Sequence, residues 1–130
     1  GEPIRVSSAA TLDGARIIAK KKFFEHDHWP KRWPEMNVGW RDAIALRMAV
    51  VARGDSDAVI LPGWKHEWDI AAGVAILEAA GGRVSDPWGA PIAFNQPRPR
   101  APGVVAAGPA LHALLIERLK TLPDPRGQAD

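Results

Sequence analysis

Apolar residues recur at Ile70, Val74 and Leu77, the spacing of one core-facing helical stripe, and the run closes on Gly81-Gly82, which supplies the left-handed residue that ends a helix. Asp69, just before the stripe, is expected at or near the N-cap, where unpaired N–H groups and the helix dipole favour a carboxylate. A second helix is predicted over 43–52, apolar on nearly every side with Arg47 as the exception, the pattern of a helix laid against a sheet. Pro109–Leu119 reads as an amphipathic helix with Pro in its first turn and a stripe at Leu111, Leu114, Leu115 and Leu119. Short apolar runs at 15–20, 36–40, 58–61 and 104–107, together with Ile4-Arg5-Val6, read as strands. Asp86-Pro87-Trp88-Gly89 is a turn, the proline-rich stretch 95–103 an extended surface connection, and 123–130 a polar tail expected to fray. The expected architecture is α/β, a mixed sheet flanked by helices, with residues 1–122 as one domain.

Composition narrows the function classes. With 130 residues, 46% hydrophobic and 25% charged, the chain is of ordinary globular make-up and large enough for its own core. No run approaches the roughly 18 apolar residues that span a bilayer, no signal peptide opens the chain, and a cytoplasmic location is the default expectation. The absence of cysteine removes disulfides, thiolate nucleophiles and thiolate metal sites. Lys and Arg outnumber Asp and Glu only by 17 to 15, enough to favour a polyanionic ligand but too little to argue for nucleic acid.

The segment 20–34 is the least regular. It holds Lys20-Lys21-Lys22, Glu25-His26-Asp27-His28 and the pairs Trp29-Pro30 and Trp33-Pro34. A metal site on His26 and His28 lacks the three or four ligands such a site needs, and a nucleic-acid stacking surface lacks the larger basic excess. A surface loop with its tryptophans packed on the domain edge is the reading preferred. Arg47 is costly on a buried helix unless it snorkels or pairs with Asp42 or Asp55.

Glu67-Trp68-Asp69-Ile70-Ala71-Ala72-Gly73, a short apolar helix, and Glu78-Ala79-Ala80-Gly81-Gly82-Arg83-Val84-Ser85-Asp86 together resemble the C-terminal signature of the inositol monophosphatase superfamily of metal-dependent phosphomonoesterases. Gly1-Glu2-Pro3-Ile4-Arg5-Val6-Ser7 resembles the mid-chain strand of that family, and 45–54 the helix before the signature. The Glu-Trp-Asp wording is most similar to bacterial 3'(2'),5'-bisphosphate nucleotidases. Two departures concern the substrate: Asp42-Ala43-Ile44-Ala45 lacks the Gly-Ser that precedes the basic residue in the family, and Leu61-Pro62-Gly63 stands where related nucleotidases carry an arginine, for which Lys65 or His66 can substitute.

The resemblance implies the C-terminal α/β domain of a two-domain sugar-phosphatase-like fold. The paired-Glu motif and the Asp-Pro-x-Asp-Gly-Thr loop of the family's first half do not occur, so the N-terminal domain is expected to lie outside this chain. It further implies a Mg²⁺-dependent parent that hydrolyses 3'(2')-phosphoadenosine 5'-phosphate to AMP and phosphate, with an inositol or sugar phosphate as the alternative, and a non-catalytic polyanion-binding module of the same fold as the reading from another class. Asp69 is the implied metal ligand, Arg47, Glu67, Lys65, His66 and Lys22 the implied substrate contacts, and no catalytic residue is assigned within this half. The isolated chain is expected to be inactive, its partners a phosphate monoester or bisphosphate nucleotide and the missing domain, with no nucleic acid and no transmembrane segment. Monomer and homodimer both stay open.

Overall fold

The computed structural model describes residues 3–127. In chain order the elements are β1 (Arg16–Ile18), α1 (Lys22–Glu25), β2 (Asn37–Gly39), α2 (Ile44–Ala52), β3 (Ala58–His66), α3 (Glu67–Ala79), β4 (Arg83–Ser85), β5 (Arg100–Ala107) and α4 (Pro109–Leu119), followed by a 3₁₀ turn at Pro125–Gly127. The strands form one sheet in the order β2-β1-β3-β5-β4. β1 runs parallel to both of its neighbours, whereas β5 runs antiparallel to β3 and to β4. This is the expected mixed sheet flanked by helices.

Alternation along the strands builds two cores, because successive side chains point to opposite faces. Ile18, Val59, Leu61, Val104 and Ala106 face α2 and α3, where Met48, Val51, Ile70, Val74 and Leu77 close one core. Ile17, Ile60, Val105 and Ala107 face the other way, onto Leu111, Leu115 and Leu119 of α4. Trp29 and Trp33 complete that second core, 9% and 7% exposed, in edge-to-face contact with each other and with Phe23 and Phe24. The tryptophans of segment 20–34 are thus interior residues rather than edge packing. The Trp29 indole N–H donates to the Phe23 carbonyl at 2.9 Å, which lets an indole sit inside without an unpaired donor. His26 and His28 stack on each other, and no third metal-ligating side chain joins them among the described residues.

Several boundaries depart from the sequence reading. α3 starts at Glu67, so Asp69 is the third helical residue, and the N-cap position falls to His66, which makes no side-chain cap bond. A backbone contact satisfies one of the helix's first N–H groups instead, as the Glu67 N–H donates to the Pro99 carbonyl at 2.8 Å. At the other end the helix stops as expected, with Gly81 at φ +89° and the Gly82 N–H returned to the Leu77 carbonyl. Residues 4–6 are not a strand. They cross the ends of other elements instead, with Val6 N–H on the Ala80 carbonyl at 3.0 Å and the Arg5 carbonyl 2.9 Å from where a Cβ would stand on Gly54.

β3 runs on past Leu61 through Pro62 and Gly63, since a bulge between Pro62 and Lys65 absorbs the residues that cannot hold a regular ladder. Its partner β5 begins at Arg100, inside the stretch expected to be loop, because pairing to β3 outweighs local proline content. β4 is too short to leave a signal in the sequence. Of the tail, Pro125–Gly127 forms a turn whose Arg126 pairs with the buried Asp86 at 3.0 Å, and 128–130 lie outside the described residues, as do Gly1 and Glu2. No described helix is long and apolar enough to cross a membrane.

Candidate anion site

The parallel strands β2, β1 and β3 end on the same edge of the sheet, and in open α/β sheets that carboxyl edge is where ligands bind. Each strand delivers a side chain there: Lys20 follows β1, Trp40 follows β2, and Lys65 lies near the end of β3. α2 leaves the same edge, which puts Arg47 in its first turn beside them, and α1 adds Lys22 and Phe23. Together with His26 and Pro62 these residues line one pocket of about 500 Å³. Four cationic side chains, Lys20, Lys22, Arg47 and Lys65, therefore converge on a single concavity.

Trp40, 38% exposed, organises the cations. The Arg47 guanidinium carbon stands 3.8 Å from the ring centroid and the Lys20 ammonium 5.1 Å, contacts stabilised by the ring quadrupole. Arg47 also donates to the backbone carbonyls of Arg41 and Asp42, the latter at 2.7 Å. It pairs with no carboxylate among the described residues, so the cost of a charge on this helix is met by two carbonyls and an indole. The Lys65 ammonium donates to the Pro62 carbonyl at 2.7 Å. Burial lowers its pKa, and the nearby Arg47 charge lowers it further. Burial likewise lowers the pKa of Arg47, opposed by Asp42. Burial is the larger cause of both shifts.

The residues predicted as a site do not all come together. Arg47, Lys65 and Lys22 meet in this pocket. Glu67 does not: it is 8% exposed, and its two carboxylate oxygens accept the backbone N–H groups of Asn95 at 2.6 Å and Gln96 at 3.3 Å. It tethers a neighbouring loop and lies outside the cationic pocket. His66 also lies apart, stacked on Trp68 at 4.3 Å in a shallow cleft with Pro97 and Pro99. Asp69 is exposed on the first turn of α3 and does not line the cationic pocket.

A hard divalent ion takes six or more oxygen ligands, and even Mg²⁺, which keeps several waters, uses one or two carboxylates plus phosphate oxygens. On the first turn of α3 Asp69 is exposed whereas Glu67 is buried, and no three His, Cys, Asp or Glu side chains gather among the described residues. The described residues do not by themselves compose a metal site. Sequence reasoning also missed Lys20, Trp40 and His26, whose only signal was position after a strand end or within a charged loop.

A model of the inositol monophosphatase family matches residues 1–124. The chain is 39% identical over 88 residues to "Inositol-1-monophosphatase ImpA" of Mycolicibacterium smegmatis, a match that covers 68% of this chain and 30% of that protein. It superposes on inositol monophosphatase of Anabaena (Nostoc) with a TM-score of 0.71 at 25% identity, over 97% of this chain and 51% of that one. An inositol monophosphatase of Thermotoga maritima gives 0.72 at 26% identity over 93% and 46%. The chain thus spans about half the length of the solved chains it matches, and less of the curated relative.

Proposed function

As the chain belongs to the inositol monophosphatase family, whose members are phosphatases, we propose that it forms the C-terminal, phosphate-binding half of a Mg²⁺-dependent phosphomonoesterase. The single observation carrying this is the convergence of Lys20, Lys22, Arg47 and Lys65 on one pocket at the carboxyl edge of the parallel strands. Arg47, held by two carbonyls and the Trp40 ring, presents its guanidinium for a phosphate oxygen. Lys65 and Lys22 add point charges, and the pocket excludes part of the water that would screen them. Asp69 contributes one carboxylate to a metal site completed by residues outside this chain, from an N-terminal domain that carries the remaining acids. The isolated chain then has no turnover of its own.

The substrate within this class is a bisphosphate nucleotide, 3'(2')-phosphoadenosine 5'-phosphate. Four cations outnumber the charge of a single phosphate monoester, and Trp40 and Phe23 give the pocket aromatic walls for a base. An inositol phosphate is the second reading, favoured by the name of the mycobacterial relative. A substrate panel on the two-domain parent tests both, with and without Asp69→Ala. Phosphate release from the nucleotide above all other substrates, lost in a folded Asp69→Ala protein, is the expected result. Full activity of Asp69→Ala returns that residue to an ordinary first-turn acid.

A further inference from the structure

Arg98 and Arg100 lie on the proline-rich strap that joins the 86–89 turn to β5, and the strap is fixed at three points. Glu67 accepts from Asn95 and Gln96, the Glu67 N–H donates to Pro99, and Arg100 pairs in register with His66 on β3. Asn95 adopts φ +61°, a left-handed conformation that asparagine tolerates, and the Glu67 contact holds it there. A segment that reads as loose surface chain is therefore a built platform.

That platform walls a pocket of about 310 Å³ together with Trp64, Gln96, Asp86 and Arg126. It shares no lining residue with the cationic pocket around Arg47. The three arginines there are not equivalent. Arg126 is neutralised by Asp86 at 3.0 Å and Asp124 at 2.9 Å. The Arg98 and Arg100 side chains pair with no carboxylate and donate to no acceptor among the described residues. Arg100 stacks on the Trp64 ring with its guanidinium carbon 4.1 Å from the centroid, which leaves the N–H edge of the fork open. A stacked guanidinium with a free edge, beside a second free guanidinium, is suited to bidentate recognition of an oxyanion. The volume is at the low end of the roughly 300–1,000 Å³ range of small-molecule sites, too small for a nucleic-acid strand.

We propose that Arg98 and Arg100, the latter stacked on Trp64, bind a small molecule bearing a phosphate or carboxylate dianion at a second site separate from the Arg47 pocket. The proposal does not depend on the phosphatase reading. The test follows the Trp64 indole N–H by NMR, assigned through Trp64→Phe, as the 130-residue chain is titrated with inorganic phosphate and, separately, with succinate. Saturable movement of the Trp64 signal by either probe is expected, and the probe that moves it identifies the ligand class. The movement persists in Arg47→Ala and weakens about tenfold or more in Arg98→Ala/Arg100→Ala, whose guanidinium groups hold no other part of the fold by a hydrogen bond or ion pair. Arg98→Lys/Arg100→Lys, which keeps the charge but not the fork, gives an intermediate affinity. A Trp64 signal unmoved by both probes overturns the proposal, as does equal affinity in the double alanine variant.

Discussion

Lys65 makes the charge state of the pocket measurable. Burial and then Arg47 depress its pKa, so it loses its proton at lower pH than an exposed lysine. Anion binding needs the ammonium form. Once the phosphate is fully dianionic, its affinity therefore falls as pH rises through the depressed Lys65 value, before the ordinary lysine range; Lys65→Gln removes that step. In the absence of ligand the sign reverses for stability. Between the depressed and ordinary values the unfolded chain holds more protons than the folded one, so this group's contribution raises stability with pH across that window. Residue chemistry is partly legible in the sequence. Arg47 stands out as a charge in an apolar run, Lys65 is singled out only by the family resemblance, and both reach the pocket. Glu67 does not, because its two donors lie 28 and 29 residues further along the chain, and no local pattern encodes a side chain accepting from a distant loop. The cap expected at Asp69 lies at His66 instead, where Pro99, also remote in sequence, receives the Glu67 N–H.

Elements meet most tightly where α2 and α3 cross. Gly73 is packed so closely on Met48 that an added Cβ would stand 3.1 Å from the Met48 Cβ and nearer still to its thioether. Met48 is 1% exposed and has no space to retreat into. Gly73→Ala gains about 1 kcal/mol of helix propensity but incurs overpacking of about 1–3 kcal/mol, so a net loss of about 1 kcal/mol is expected by chemical denaturation. In the Met48→Ala background the same change becomes neutral or stabilising. An equal loss in both backgrounds would mean that the contact with Met48 is not what Gly73 permits. The helices are the most legible elements: 43–52 and Pro109–Leu119 match α2 and α4 within a residue, since buried stripes at helical spacing are a property of sequence alone. Strands are less so. β5 draws Arg100 and Pro102 into a ladder that only β3 can offer, and residues 4–6 find no strand beside them to pair with.

On the scale of the whole molecule, topology rather than any motif assembles the anion site. Lys20, Trp40, Arg47 and Lys65 lie on different elements and become neighbours because β1, β2 and β3 are parallel and point their carboxyl ends the same way. Periodicity carries the fold class and the Glu-Trp-Asp signature carries the family, but the gathering of these cations is visible only once strand order is known. Asp86 and Arg126 tie the C-terminal turn to the end of β4 in the same way, by a pairing of residues remote in sequence. If, as proposed, this half of the family fold binds the substrate phosphate through the cationic pocket, isothermal titration of the 130-residue chain with 3'-phosphoadenosine 5'-phosphate registers it most directly, in the unsubstituted protein and in Arg47→Ala. Saturable binding that weakens about tenfold or more in a folded Arg47→Ala chain is the predicted result. Equal binding by the two proteins, or none by either, would contradict it.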